Sequence, residues 1–334
     1  MIKTKGDLDM AQIDYVMSVR AVAGKKFTDE VGQTRFLFVP KNENPSPDHE
    51  VKADKWFKAV RAAGSWKNSK KEARGDILFI AHGYNINEQE VIDRHRRLSE
   101  DLNGMGFKGV VVSYDWPCGN QALAYLADRH KAKLTSFQLV NDGIRYLSEV
   151  QTPDCPINIH LLGHSVGAYV IREAFDDADD SQLPNGSWNV SQIMFAAGDV
   201  SSASMSEGDS GTASLYRHCL RLTNYSNKFD EALGISNVKR MGVAPRAGRI
   251  GLPDDAPGIA VNVDCSDYYN QLVSDATILA PDQPSPIMGM KSHSWYFGNL
   301  VFTRDLMNTM IGVDRSAFDT RVGTGSRFKL TRPK

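Results

Sequence analysis

Short hydrophobic runs alternate with amphipathic stretches through most of this chain. The continuously apolar runs predict buried strands at 76–83, 110–116, 157–162, 192–197, 219–225 and 259–264. The stretches between them predict helices at 88–102, at about 122–150 and at 165–176. Apolar strands that alternate with helices are typical of a mostly parallel sheet with helices on both faces, so the pattern predicts an α/β protein.

The two ends of the chain complete this prediction. Residues 15–22 and 35–40 are two further apolar runs, and the polar segment DEVGQTR that separates them predicts the turn of a hairpin. A helix is expected around 55–63, and a last helix from near Trp295 toward Met310. We therefore expect an eight-stranded sheet that starts with an antiparallel pair.

Composition excludes several classes of protein. The net charge is −1, so the chain lacks the basic excess that drives nucleic-acid binding. It has no apolar run long enough to span a bilayer and no apolar leader at residue 1, so we expect no membrane contact and a cytoplasmic location. The cysteines form no CxxC pair, and the chain has no glycine-rich phosphate loop. We expect no metal and no cofactor.

The strongest chemical signal is the segment Gly163-His164-Ser165-Val166-Gly167, which fits the pattern G-x-S-x-G. Such a match on its own is weak, but this one directly follows a predicted strand and opens a predicted helix. A serine on that sharp turn stands at the carboxyl edge of the sheet as a nucleophile. The alternative is a strand-to-helix turn without chemistry. The context favours Ser165 as the nucleophile of an α/β-hydrolase fold.

Acyl chemistry also needs donors for the negative charge that develops on the substrate oxygen. We expect one donor to be the backbone N–H of Val166, which follows the nucleophile. The strand that ends at His82 and Gly83 is expected to supply the other, the N–H of Tyr84. The alternative for this second segment is an ordinary turn at the end of a strand.

The general base should be a histidine, because this side chain titrates near neutral pH. In this fold the chain order is serine, acid, histidine, and only His218 and His293 follow Ser165. His218 precedes a predicted strand, at the wrong edge of the sheet. His293 follows the last of the six apolar runs, in the loop where the fold delivers its base, so we predict that His293 is the base.

Two aspartates are candidates for the acid that orients the base. Asp199 and Asp230 both follow predicted strands and would lie at the carboxyl edge of the sheet. We favour Asp230, because it follows the penultimate strand of the series, which is the usual acid position. Asp199 remains the alternative acid. Each could instead cap a turn or a helix.

The chain resembles the bacterial α/β-hydrolase family of unknown function that carries HGYN, SWPS, YLxDR and HSMG segments. The matching segments here are His82–Asn85, Tyr114–Cys118, Tyr125–Arg129 and His164–Gly167. The resemblance spans roughly 76–300 and continues through FAAGDV, YSNKFDEAL and SHSWYF. Asp115 and Cys118 replace serines of SWPS, Val166 replaces a methionine, and Gly198 replaces a proline. The resemblance implies a hydrolase but brings no substrate with it.

These observations predict a serine hydrolase that cleaves soluble carboxylic esters with short-to-medium acyl groups through an acyl-enzyme. An acyltransferase, a thioesterase or a catalytically silent binding module are the alternatives. Trp116 and Tyr125 are expected either to contact substrate or to pack beside the cleft. The segment 198–218 is short and polar, unlike the lid of an interfacial lipase. Apolar residues of 268–288 either line an acyl pocket or pack a long loop.

We expect one domain over 1–334, because no repeat and no linker rich in proline, glycine or serine interrupts the pattern. Residues 1–75 would hold the N-terminal strands and helix, 76–311 the catalytic core and 312–334 a C-terminal tail. The oligomeric state cannot be predicted.

Overall fold

The computed structural model describes residues 12–118, 125–148, 156–180, 188–239 and 244–333. It contains one sheet of twelve strands, so the prediction of eight was wrong in number. The strands are β1 (Ile13–Ala23), β2 (Lys26–Pro40), β3 (Glu50–Val51), β4 (Ser65–Lys67), β5 (Ala73–Ala81), β6 (Val110–Asp115), β7 (Ile157–His164), β8 (Val190–Ala196), β9 (Cys219–Ser226), β10 (Ala260–Asp264), β11 (Arg321–Thr324) and β12 (Arg327–Leu330).

Helices fill the connections between the strands. They are α1 (Ala53–Gly64), α2 (Glu88–Gly104), α3 (Tyr125–Gln138), α4 (Arg145–Ser148), α5 (Val166–Asp180), α6 (Ser210–Arg217), α7 (Glu231–Lys239), α8 (Ala247–Ile250), α9 (Ser266–Ser274), α10 (Ala276–Asp282), α11 (Lys291–Ser294) and α12 (Leu300–Met310). A π-helical segment joins α3 to α4, and short 3-10 turns lie at Pro47–His49 and Ala203–Met205.

The centre of the sheet is parallel, as predicted. Neighbouring strands follow the order β11-β12-β10-β9-β8-β7-β5-β6-β1-β2-β3, with β4 paired to the start of β5. Every neighbouring pair in the run β1-β6-β5-β7-β8-β9-β10-β12 is parallel. The antiparallel pairs of the described sheet are β1 with β2, β2 with β3, β4 with β5 and β11 with β12. The carboxyl ends of β5, β7, β8 and β9 therefore meet at one edge.

The four strands beyond the predicted eight are β3, β4, β11 and β12. Each has only two to four residues, too few to show a hydrophobic period. β12 pairs in parallel with β10 and in antiparallel fashion with β11, so these two strands of the predicted C-terminal tail extend the sheet.

The hairpin at the start of the chain turns at a different place from the one predicted. Gly24 occupies the turn with φ 63°, and DEVGQTR lies within β2. The pairing of β1 with β2 shifts register twice, and a Cβ at Gly32 would lie 2.6 Å from the Cα of Ala21. This close approach of the two backbones requires glycine. In the sequence alone, the same glycine indicated a turn, which is why the turn was predicted at the wrong place.

Both faces of the sheet are buried, which explains why its strands are continuously apolar. Along β5, Ile77 and Phe79 pack into one core with α1 and α5. Leu78 and Ile80 pack into a second core on the opposite face, with α2 and α12. Across the described residues, none of the helices combines the length and apolar character needed to cross a bilayer.

Candidate active site

Ser165 lies on a tight turn between β7 and α5. Its φ is 56°, a left-handed conformation that costs a non-glycine residue of order 1–3 kcal/mol. The surrounding backbone holds it there: its N–H donates to the carbonyl of Ala196 at 3.1 Å, and its own carbonyl accepts from the N–H of Asp199 at 2.8 Å. A strained serine that the neighbouring strand ends hold in place is the geometry expected of a nucleophile elbow.

The glycines on either side of this turn have a steric reason. A Cβ at Gly163 would lie 2.7 Å from the Cα of Ala168, and one at Gly167 would lie 2.0 Å from the carbonyl oxygen of Ala81. Only glycine therefore lets helix α5 leave β7 so close to the end of β5. The two glycines of the G-x-S-x-G pattern are thus required by packing.

Ser165 opens into a cavity of about 340 Å³ at the carboxyl edge of the sheet. Its wall combines the turn after β5, the start of α5, helix α7 and the loop before α11. The lining residues are Tyr84, Asn85, Ile86, Glu90, Arg94, His164, Ser165, Val166, Asp199, Ala232, Leu233, Ile235, Gly289, Met290, His293 and Ser294. The predicted nucleophile, base and two oxyanion donors thus share one cavity.

His293 and Asp230 form a buried pair beside this cavity. The Nδ1 of His293 lies 2.7 Å from Oδ2 of Asp230, whose side chain is fully buried. The other carboxylate oxygen accepts the N–H of Leu233 at 2.9 Å, in the first turn of α7. Asp230 therefore both caps a helix and orients the imidazole. Because Nδ1 donates to the carboxylate, Nε2 is the nitrogen left to exchange a proton.

Asp199, the alternative acid, has a different partner. Its Oδ1 lies 3.0 Å from Nε of Arg246, and both side chains are buried. Its backbone N–H holds the carbonyl of Ser165. Asp199 thus supports the elbow, while the carboxylate on His293 belongs to Asp230.

His164, which precedes the nucleophile, links the elbow to the loop of the base. Its Nε2 donates to the carbonyl of His293 at 3.0 Å, and its Nδ1 accepts from Nη1 of Arg94 at 3.4 Å. Burial, together with the charges of His293 and Arg94, holds the pKa of His164 well below its ordinary value. A neutral ring fits these contacts, since it donates on one side and accepts on the other. The sequence pattern did not reveal this role.

The turn after β5 is positioned by His82. A Cβ at Gly83 would lie 2.9 Å from the Cβ of Ser165, so the backbone passes directly beside the nucleophile. Nδ1 of His82 donates to the carbonyl of Gly83 at 2.8 Å. Because the peptide is planar and trans, this bond also sets the direction of the N–H of Tyr84.

A buried ionic network beneath this turn was not predicted. Asp115 accepts from Nε of Arg20 and from Oγ of Ser18, each at 2.8 Å, and lies 3.3 Å from Nε2 of His82. Burial alone would raise the pKa of Asp115, but Arg20 and His82 lower it to about 2. Burial alone would lower the pKa of His82, but Asp115 and Cys118 raise it to about 9. Ser18 and Arg20 are polar residues within the mostly apolar strand β1, and this is the sequence signal that could have indicated the network.

Trp116 and His218 do not line the cavity. Trp116 is fully buried and stacks on His82, with ring centroids 5.3 Å apart, so it packs beneath the turn. Tyr125 begins α3, but its side chain lies outside the described part of the structure. His218 bonds to the carbonyl of Trp188 at 2.7 Å and to Asp179 at 2.8 Å.

All the apolar candidates of 268–288 except Met288 are buried in the second core or lie partly buried against it. None of these residues lines the cavity: Tyr268, Tyr269, Leu272, Ile278, Leu279 and Ile287. Of the two interpretations, packing therefore fits the structure. Within the described residues, no cluster of histidine, cysteine, aspartate or glutamate has the arrangement of a metal site.

Comparisons with known proteins agree with this architecture. Residues 60–257, more than half of the chain, match the family described as alpha/beta hydrolase of unknown function (DUF900). A search of curated proteins finds no match.

Solved structures with a similar fold include the RedJ thioesterase of the prodiginine pathway in Streptomyces coelicolor. It is 14% identical with a TM-score of 0.30, over 57% of this chain and 77% of that one. An esterase/lipase from an uncultured bacterium is 10% identical with a TM-score of 0.33, over 80% and 95%. Esterase B from Lactobacillus rhamnosis is 11% identical with a TM-score of 0.31, over 81% and 71%. These likenesses are too distant to transfer a substrate.

Proposed function

Because the chain belongs to the alpha/beta-hydrolase family of unknown function DUF900, we propose that it is a serine hydrolase that cleaves carboxylic esters. Ser165 would be the nucleophile, His293 the base and Asp230 the acid. The observation that carries the proposal is the pair of His293 and Asp230 at 2.7 Å, beside a cavity that a serine with φ 56° also lines.

The proposed reaction has two halves. His293 takes the proton of the Ser165 hydroxyl through Nε2 while the serine oxygen attacks the ester carbonyl. The N–H groups of Tyr84 and Val166 stabilise the negative charge on the carbonyl oxygen. His293 then gives the proton to the departing alcohol, and an acyl-enzyme remains. Water, activated by the same histidine, attacks this ester and releases the acid.

The cavity favours short-to-medium substrates. Its volume of about 340 Å³ lies near the lower end of the range of small-molecule sites, roughly 300–1,000 Å³. Helix α7 and the loop before α11 supply an apolar side, with Leu233, Ile235 and Met290. The segment 198–218 buries Met205 and Leu215 in the first core, so these side chains do not form a lipid-facing surface.

We expect activity on 4-nitrophenyl esters to be highest for acyl chains of about two to eight carbons, because the cavity volume limits the acyl group. The measurement is kcat/KM across a chain-length series, with a matched thioester and anilide and with tributyrin below and above its solubility limit. A rate that jumps at the lipid interface, or a preference for chains above about twelve carbons, would contradict a soluble-ester hydrolase. Turnover of the thioester alone would assign a thioesterase.

A further inference from the structure

Arg94 is a buried cation in the wall of the catalytic cavity. It projects from α2, its relative exposure is 7%, and none of the described carboxylates forms an ion pair with it. Nη1 donates to Nδ1 of His164 at 3.4 Å, and Nη2 donates to the carbonyl of Met288 at 3.3 Å. The guanidinium also lies 5.2 Å from the ring centroid of Phe297, while its Nε is buried without a hydrogen-bond partner.

The other buried arginines of the described chain all have a buried acidic partner. Arg20 pairs with Asp115 and Arg321 pairs with Asp305, at 2.8 and 2.6 Å. Arg246 pairs with Asp199 at 3.0 Å. Arg94 differs from these residues because its hydrogen bonds and its ring contact are with neutral groups. Among the four buried arginines of the described chain, it is the one that lines the cavity together with Ser165.

A buried guanidinium without a counter-ion is costly, since a charge that leaves water needs a partner of opposite sign. Burial lowers the pKa of Arg94 to about 10, although the charge of Glu90 acts in the opposite direction. The side chain of Glu90 is exposed, and its Oε2 accepts the N–H of Asn87 at the start of α2. Arg94 therefore stays charged at neutral pH. The Glu90 carboxylate, its acidic neighbour, caps the start of α2.

We propose that Arg94 binds an anionic group of the substrate, so that the preferred ester carries a carboxylate on its acyl or alcohol part. This inference rests on the proposed ester hydrolysis at Ser165. A guanidinium binds carboxylates through strong charge-assisted hydrogen bonds, and here it would do so from a buried position in the cavity wall. The substrate anion would supply the ion-paired partner that none of the described carboxylates provides at this position.

The test compares charged and neutral esters that differ by one methyl group on the carboxylate. One pair is the 4-nitrophenyl half-ester of adipic acid and its methyl-capped form, which places the charge on the acyl part. The other pair is 4-acetoxybenzoate and its methyl ester, which places the charge on the alcohol part. We expect wild type to prefer the charged member of one pair by about tenfold or more in kcat/KM, the size expected for hydrogen bonds to an ion.

Variants at three positions on α2 separate binding from structure. Arg94→Met should lower the charge preference, the ratio of kcat/KM for the charged ester to kcat/KM for the neutral ester, about tenfold. Arg97→Met makes the same change on the same helix, at a side chain that contacts Ser285 outside the cavity, and should leave the preference unchanged. Glu90→Gln removes the competing negative charge and should increase the preference for the charged ester.

Equal rates for both members of both pairs in wild type would overturn the proposal, as would an equal fall for both esters in Arg94→Met. If Arg94→Met does not fold, Glu90→Gln and the wild-type preference still decide the question. Calorimetric titration with adipate provides a readout without turnover: wild type should bind and Arg94→Met should not. A protein that binds adipate but hydrolyses no ester would refute the proposed hydrolase and support the anion site. Ester turnover without any charge preference would support the hydrolase and refute the anion site.

Discussion

Replacement of Ser165 with alanine is expected to lower kcat on every ester by roughly 10⁴- to 10⁶-fold. The hydroxyl forms the acyl-enzyme, and alanine at this position leaves no other group to attack the carbonyl. Alanine also accepts the turn with φ 56° about as well as serine does, so the fold should persist. The measurement is steady-state hydrolysis of a 4-nitrophenyl ester together with thermal unfolding.

Ser202→Ala is the matched control for this experiment. Ser202 is also a buried serine, but its Oγ donates to the carbonyl of Gly251 at 2.7 Å and it does not line the cavity. We expect it to lose some stability, about 1 kcal/mol, and to keep its turnover. A Ser165→Ala enzyme that hydrolyses esters within tenfold of wild type would remove Ser165 from the chemistry.

Asp230→Asn is expected to lower kcat by roughly 10³- to 10⁴-fold, with a smaller change in KM. An asparagine amide can present an N–H to Nδ1 of His293, which stabilises the wrong tautomer, and it cannot compensate the charge of the imidazolium. The side-chain oxygen can still accept the N–H of Leu233, so α7 should keep its cap. The measurement is kcat and KM on the best ester of the chain-length series.

Asp199→Asn should lower stability strongly and activity only weakly, the opposite of Asp230→Asn. Its carboxylate pairs with buried Arg246, so its loss leaves an uncompensated charge and should lower the free energy of unfolding by about 3–5 kcal/mol. The enzyme that remains folded should keep kcat within about tenfold. A larger loss of kcat in Asp199→Asn than in Asp230→Asn would reassign the acid.

Much of this fold could be predicted because both faces of its central strands are buried. The apolar runs that form β5 to β10 are continuous for that reason, and the helices between them follow from the alternation. The short strands at the two edges could not be recognised, since two to four residues show no period. The turn of the first hairpin was misplaced because Gly32 serves a close backbone approach.

The candidate site, like the fold, could be predicted from the sequence only in part. Ser165, Asp230 and His293 follow from the order of strands and the edge at which each strand ends, which are properties of the chain alone. The contacts of His164 and Arg94 depend on where α2 and the loop before α11 pack, and these distances are not encoded in local spacing. The same holds for the pair of Arg20 and Asp115, which lie far apart in the chain.

The central claim is that Ser165 is an activated nucleophile, and covalent labelling tests it most directly. The full chain is incubated with a fluorophosphonate probe near neutral pH, digested and examined by mass spectrometry. We predict one adduct per chain, located on the peptide that contains Ser165, formed much more slowly in Asp230→Asn and absent in Ser165→Ala. A folded wild-type protein that remains unlabelled, or an adduct on another residue, would contradict the claim.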